Sequence, residues 1–174
     1  MLPANQDISA RITTPANLTI GAYHDINDKW SVMAEFGRTY WSSFDTLDIY
    51  GENNGKMSTT EERWKDTTFY AIGASYQYND QWKFRVGFAV DQSAVGQEYR
   101  TPRIPDSDRL WYSSGIEYKY NDDWTFNLGY TYIRADKGKV KLLGYHDGDN
   151  ARGSLQADYE NDIHILGFGA SYNF

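Results

Sequence analysis

Apolar and polar residues alternate along most of this chain with a period of two, the pattern of β-strands that have one apolar and one polar face. After residue 81, one face carries Trp82, Phe84, Val86, Phe88 and Val90, and the other carries Lys83, Arg85, Gly87, Ala89 and Asp91. The same alternation follows residues 29 and 123 and precedes residue 121. The two faces are called here the aromatic face and the polar face.

A short motif with Asn, Asp and Trp separates the alternating runs. It reads Asn27-Asp28-Lys29-Trp30, then Asn79-Asp80-Gln81-Trp82, then Asn121-Asp122-Asp123-Trp124. Asn and Asp tolerate the left-handed and bridge backbone conformations that tight turns need. The motif therefore predicts three hairpin turns, all on one edge of a sheet.

Eight strands are predicted in this way, at 6–13, 17–25, 30–45, 66–78, 82–93, 109–120, 124–140 and 155–174. An even number suits a closed, antiparallel up-and-down β-barrel, here one all-β domain over 1–174. The connections at 46–65, 94–108 and 141–154 are long, polar and rich in glycine, whereas the three turns are short. Short periplasmic turns and long extracellular loops are typical of transmembrane barrels of the bacterial outer membrane.

Period two does not say whether the aromatic face points into a core or outward into lipid. A soluble lipocalin-like barrel also has eight strands, with its apolar side chains inside. Two features favour the membrane barrel. Trp and Tyr lie beside the turns, where an interfacial girdle belongs, and the polar face carries mid-strand charges that fit a wet lumen: Glu35, Lys83, Arg85 and Glu117. If the eight strands close on themselves, these charges are predicted to form a buried ionic network. The alternative is that the chain assembles with other strands to complete a larger pore.

The composition agrees with a barrel and excludes other classes. Aromatic residues make up 17% of the 174 residues and charged residues 24%, which close alternation accommodates. No run approaches the roughly 20 apolar residues of a membrane helix. The chain has no cysteine, hence no disulfide or thiolate metal site, and its net charge of −7 without a basic run argues against a nucleic-acid partner.

Both ends of the chain bear on export. Residues 1–5 lack the basic and apolar regions of a signal peptide, so we expect a mature form or a chain that begins at an added Met. The last run alternates and ends on Phe174, which resembles the C-terminal signal that the barrel-insertion machinery reads. We therefore expect that machinery as a partner, through Phe174, together with outer-membrane lipid and lipopolysaccharide.

Three segments resemble the FadL-type outer-membrane long-chain fatty-acid transporters. They are Trp41-Ser42-Ser43-Phe44-Asp45, Trp64-Lys65-Asp66, and residues 100–115 with the core Ile104-Pro105-Asp106-Ser107-Asp108-Arg109. The resemblance covers nearly the whole chain and only the C-terminal, eight-strand portion of the family, without the family's N-terminal plug or its kinked strand. It implies binding or passage of long-chain fatty acids or other hydrophobic small molecules across the outer membrane.

A fatty acid requires one or two cations beside an apolar groove. The candidate ligand-binding residues are Arg100, Arg103 and Arg109 in or beside the loop 94–108, and Arg63 and Lys65 at the end of the loop 46–65. The structural alternative is that Arg103 and Arg109 pair with Asp106 and Asp108 to hold the loop. Family members often place a basic residue a few positions before the equivalent of Trp64, where this chain has Thr59, Thr60, Glu61 and Glu62.

An enzyme is the less favoured interpretation. His146-Asp147 near Ser154 could be written as a hydrolase trio, but three common residues in one polar loop are expected by chance. Residues 147–150 lack the remaining ligands of a calcium loop, and His164 falls on the aromatic face. We predict no catalytic residue, metal or cofactor. The remaining alternative is a small closed barrel without transport activity, either a structural or surface protein or an excised fragment of a transporter.

Overall fold

The structure, a computed structural model, describes residues 7–52, 55–144 and 153–174. Within these residues it contains twelve β-strands and one turn of 3-10 helix, Trp41–Ser43. The strands are β1 (Ile8–Ala10), β2 (Asn17–Asp25), β3 (Trp30–Thr39), β4 (Thr46–Gly51), β5 (Gly55–Glu61), β6 (Thr67–Gln77), β7 (Trp82–Asp91), β8 (Arg109–Lys119), β9 (Trp124–Ala135), β10 (Gly138–Leu142), β11 (Leu155–Tyr159) and β12 (Asp162–Tyr172). In the described ranges no helix has the length and apolarity needed to cross a membrane.

Seven strands form one antiparallel sheet in the order β12-β9-β8-β7-β6-β3-β2. The order in the sheet follows the order in the chain, so the predicted up-and-down connectivity is observed. Each of these strands is nine to twelve residues long. Such lengths match the roughly 9–11 residues with which a tilted strand crosses the hydrocarbon core of a bilayer.

The sheet is open within the described residues, because β2 and β12 each pair on one side only. Neighbouring strands are antiparallel throughout, so the two edge strands run in the same direction. They cannot close antiparallel on each other, and closure requires an odd number of additional strands. The described strands therefore do not form the expected closed barrel of eight strands: the predicted first strand supplies β1, which pairs with β4 instead.

The remaining strands lie in the long connections, at what we call the loop end of the sheet; the opposite end is the turn end. A three-stranded sheet has the order β1-β4-β5, and β10 pairs with β11. Two predicted strands are thus divided, 124–140 into β9 and β10 and 155–174 into β11 and β12, and the predicted loop 46–65 contains the β4–β5 hairpin. Period two continues through such hairpins, so it does not mark where the large sheet ends.

An asparagine side chain closes each of the three predicted turns. Asn79 Oδ1 accepts hydrogen bonds from the backbone N–H groups two and three residues later, at 3.0 and 2.9 Å. Asn27 and Asn121 make the same pair of bonds. Among the described non-glycine residues only Arg63 has a positive φ, 41°. Asparagine is therefore used in these turns because its side-chain oxygen accepts hydrogen bonds from turn N–H groups. Its tolerance of left-handed backbone is not the reason.

The register confirms the two faces. On the central strands β6 and β7, Ile72 and Val86 of the aromatic face are 64% and 62% exposed, so no described part of the protein covers this face. A Trp ring packs on a Tyr ring of the next strand beside every turn, with centroid distances of 4.6 Å for Trp30–Tyr76, 4.4 Å for Trp82–Tyr118 and 4.9 Å for Trp124–Tyr172. An outward apolar face with an aromatic band contradicts the lipocalin-like alternative.

Candidate functional site

The polar face lines one open trough of about 850 Å³, to which all seven strands of the large sheet contribute. A single cavity shared by every strand means that the sheet curves around its polar face. Glycines lie side by side on the floor of the trough, Gly73 opposite Gly87 and Gly115 opposite Gly129 opposite Gly167. Because glycine presents only backbone, the middle of the trough is not filled by side chains.

Charged side chains cluster in the trough toward the turn end. Arg85 forms an ion pair with Glu117, and its Nη1 donates a hydrogen bond to Asn127 Oδ1 at 3.3 Å. Lys83 Nζ lies 4.0 Å from Glu117 Oε1. The predicted ionic network thus joins three of its four members, while Glu35 lines the trough two strands away.

Toward the loop end, several polar-face positions carry apolar residues, which the alternation of residues did not predict. Polar-face positions there carry Phe69, Ala71, Ala89, Trp111, Ile133 and Ile163. Ala89 and Ile133 are only 6% and 3% exposed and belong to the buried core. Of these six residues Ala71 lines the trough, in one row with Glu35, and the buried residues beyond it close the sheet toward the loop end. The signal was present in the sequence as large apolar residues at polar-face positions.

Two segments that carry the family resemblance meet at the loop end. The Trp64 ring packs edge-on against Trp41 at 4.8 Å and against Phe44 at 5.0 Å. Asp66 Oδ1 accepts a hydrogen bond from the Ser42 backbone N–H at 3.0 Å, and this bond holds the pKa of Asp66 below its usual range. These contacts fasten the 3-10 turn to the start of β6, so the segments have a structural role.

Arg100 and Arg109, two of the predicted ligand-binding residues, hold the loop between β7 and β8. Arg100 is 8% exposed and donates to the backbone carbonyls of Asp106 at 2.7 Å and Lys139 at 3.0 Å. Arg109 pairs with Asp106 at 3.1 Å and with Asp91 at 2.8 Å. The structural alternative therefore describes Arg109 well, and Arg100 has the same kind of role.

The other three predicted residues are more accessible. Arg63 pairs with Glu61 at 3.4 Å and lies over the ring of Tyr99, 5.4 Å from its centroid. Arg103 is exposed on the loop that Arg100 holds. Lys65 lines a pocket of about 440 Å³ at the loop end, which we call the rim pocket.

The rim pocket brings together residues from three connections of the chain. Its charged lining residues are Lys65, Arg100, Asp108, Asp136, Lys137 and Lys139. Lys137 forms an ion pair with Glu160, which raises the pKa of Lys137, and Arg100 donates to backbone carbonyls. Lys65 and Lys139 are the cations of this set that would meet an anionic ligand. Lys137 and Lys139 were not among the predicted site residues, because alternation places them at the end of a strand and carries no information about the facing loops.

The histidines form no catalytic arrangement in the described residues. His164 lies on the aromatic face, as predicted, with its Nδ1 2.7 Å from the Tyr130 hydroxyl oxygen. His146 and the segment 147–150 lie outside the described residues. Within the described ranges, no group of three or more His, Asp or Glu side chains is placed to hold a metal ion.

Comparison with protein families gives one match that covers the chain. Residues 2–174 match the model of the family described as outer membrane protein transport protein (OMPP1/FadL/TodX). A long-chain fatty acid transport protein of Escherichia coli O6:H1 is 29% identical over 98% of this chain and 36% of its own length. Outer membrane protein P1 of Haemophilus influenzae strain Rd is 31% identical over 94% of this chain and 36% of its own length.

Solved structures with the same fold span more than this chain. A Pseudomonas aeruginosa FadL homologue superimposes with a TM-score of 0.86 and 27% identity, over 95% of this chain and 37% of that one. The Pseudomonas putida toluene transporter TodX gives a TM-score of 0.61 at 20% identity, over 97% and 37%. The chain thus spans just over a third of the length of the relatives that it matches.

Proposed function

The chain belongs to the outer membrane protein transport protein family (OMPP1/FadL/TodX), and from this premise we propose that it forms the wall of a channel that binds and passes hydrophobic small molecules. Family membership confirms the resemblance noted in the sequence and the location in the bacterial outer membrane. The family is one of transporters, in agreement with the prediction that the protein is not an enzyme.

The open trough is the observation that carries the proposal. Its glycine floor leaves a cavity of about 850 Å³, within the range of ligand pockets. A wall whose inner side chains filled the interior would offer no such space, as expected for a closed barrel of eight strands. The trough therefore favours passage of a ligand over a purely structural or surface role.

Long-chain fatty acids are the ligand class that we propose, with other hydrophobic compounds as the broader class. One relative is named for long-chain fatty acid transport, and a structural neighbour is a toluene transporter. In the rim pocket, Lys65 and Lys139 are placed to attract a carboxylate arriving from outside. Arg103 and Arg63 would add positive charge at the same rim, whereas Arg100 and Arg109 would act by holding the loops.

For the complete wall, we propose a closed up-and-down barrel with the turn end in the periplasm and the loop end outside the cell. An eight-stranded barrel over 1–174 would require residues 6–13 to leave β4 and enter the large sheet. Pairing of β1 with β4 favours completion by other strands. The aromatic face would contact outer-membrane lipid and lipopolysaccharide. Phe174 is exposed, with its ring centroid 5.1 Å from that of Tyr172, and would be read by the barrel-insertion machinery.

A binding measurement tests the proposal. A fluorescent long-chain fatty acid is titrated into the protein in nanodiscs, with empty nanodiscs as background. We expect saturable binding that weakens about two- to fivefold in Lys139→Gln, the range of an exposed ion pair. Lys141→Gln is the matched control, since Lys141 is exposed on the same strand β10 but does not line the rim pocket.

Binding no greater than that of empty nanodiscs would contradict transport and favour the runner-up, a barrel without transport activity. Saturable binding that both lysine variants weaken equally would instead indicate a general charge effect, and would remove the rim pocket from the proposal.

A further inference from the structure

The charged cluster in the trough is built around Arg85, whose side chain crosses the neighbouring strand. Its Cβ lies 3.7 Å from the place that a Cβ on Gly115 would occupy. From there the guanidinium reaches Glu117 on β8 and Asn127 on β9. The glycine at 115 thus leaves room for Arg85 to lie over the floor of the trough.

The cluster keeps access to the trough. Arg85 and Lys83 contact one carboxylate, Glu117, and Lys83 also interacts electrostatically with Asp25 at the turn end. The Arg85 and Lys83 side chains are 41% and 33% exposed. A guanidinium has five N–H donors, and the contacts with Glu117 and Asn127 leave some of them for a further acceptor.

The surroundings of Arg85 fit an amphipathic molecule. In the row that contains Arg85, the next three polar-face positions are Gly115, Gly129 and Gly167. Toward the loop end, Gly87, Gly73 and Ala71 continue the lining of the trough. From the row of Arg85 to the row of Ala71 is four residues, about 13 Å of strand, which is room for the first part of an acyl chain.

We propose that Arg85, with Lys83, binds the carboxylate headgroup of an amphipathic ligand inside the trough, while the tail lies over the glycine floor toward the loop end. This inference rests on the proposed function, because it assigns a headgroup site to a ligand that has entered the trough. The site lies apart from the rim pocket and uses none of its residues.

Glu117 gives the site a built-in competitor. Its carboxylate forms an ion pair with the Arg85 guanidinium. A ligand carboxylate must therefore share the guanidinium with Glu117 or displace Glu117 from it. Removing the charge of Glu117 would leave Arg85 and Lys83 without their shared carboxylate and would strengthen binding of an acid. A neutral ligand of the same shape would gain nothing. The pair therefore sets the preference for acids over neutral hydrocarbons.

The test compares a long-chain fatty acid with its methyl ester, each titrated into the protein in nanodiscs. The ester keeps the tail and removes the charge. We expect Arg85→Gln to weaken binding of the acid about tenfold, the lower part of the range for hydrogen bonds to charged groups, and to leave binding of the ester unchanged. Arg85→Lys should restore part of the preference, and Glu117→Gln should increase it.

The outcomes separate this inference from the proposed function. An acid-to-ester ratio that Arg85→Gln does not change, or a parallel loss for acid and ester, would overturn the headgroup site while binding as such stands. Absence of binding for both ligands would overturn the site and the transport proposal together. Glu117→Gln keeps Arg85, so an unchanged ratio in this variant also counts against the site when Arg85→Gln does not fold, as judged by heat-modifiable migration on gels.

Discussion

At the scale of single residues, the glycines of the polar face have different reasons to be glycine. A Cβ on Gly73 would lie 3.0 Å from Met33 Cγ and 3.3 Å from the Val86 carbonyl oxygen. The second contact is with backbone, which cannot move aside without disturbing the sheet. A Cβ on Gly167 would meet no heavy atom within 4 Å. Close strand packing requires glycine at the first position, and only the width of the trough depends on the second.

We therefore expect Gly73→Ala to lower the free energy of unfolding by about 1–3 kcal/mol, the usual cost of overpacking. Gly167→Ala should change it by no more than about 0.5 kcal/mol. Urea titration of the protein folded in lipid vesicles measures both values. Equal losses in the two variants would show that crowding at Met33 and Val86 is not the reason for glycine at position 73.

At the scale of elements, each hairpin of the large sheet uses the same turn. The asparagine accepts two backbone hydrogen bonds, and the Trp that ends the turn starts the next strand and packs on a neighbouring Tyr. One short motif therefore both closes the turn and places an aromatic ring at the turn end. Its three copies explain the aromatic band without any long-range information.

Asn79→Ala removes both acceptor contacts of one turn, and we expect it to lower the free energy of unfolding by about 1–2 kcal/mol. Asp80→Ala is the matched control, because Asp80 is exposed in the same turn and accepts neither of those bonds. The urea midpoint of folding in vesicles is compared for the two variants. A larger loss in Asp80→Ala would mean that the asparagine does not hold the turn.

At the scale of the whole molecule, strand direction decides how the wall can close. The two edge strands of the large sheet run the same way, so β2 and β12 need an odd number of strands between them. One such strand would be residues 6–13, as the sequence predicted. The structure instead uses part of that segment as β1 at the loop end, with Ser9 opposite Tyr50.

A disulfide cross-link tests this placement. Cysteines introduced as Ser9→Cys and Tyr50→Cys should form a disulfide under mild oxidation in membranes, because the two residues are direct cross-strand neighbours. Ser9→Cys with Thr59→Cys is the control pair, since Thr59 pairs with Asp48 and not with β1. Absence of the Ser9–Tyr50 cross-link would contradict this placement of β1 and reopen the eight-stranded barrel.

Local pattern alone determined much of this protein. Period two identified the strands and their two faces, and the Asn-Asp motif located the turns, because both depend only on near neighbours in the chain. The aromatic girdle and the family resemblance were also legible in the sequence. The ionic network was predicted in part, since Lys83, Arg85 and Glu117 share a face whatever the register.

Only the tertiary structure decided where the large sheet ends and which cations are available to a ligand. Hairpins in the loops have the same periodicity as the wall, so the pattern joined β10 and β11 to wall strands, whereas β4 and β5 were predicted as loop. Arg100 and Arg109 were predicted as ligand residues, and only the structure shows that they also contact Asp106 of their own loop, with Lys139 and Asp91 as further partners. Lys139 lies beside Lys65 only through folding. Pairing between residues far apart in the chain fixes these features, and alternation along one strand carries no information about it.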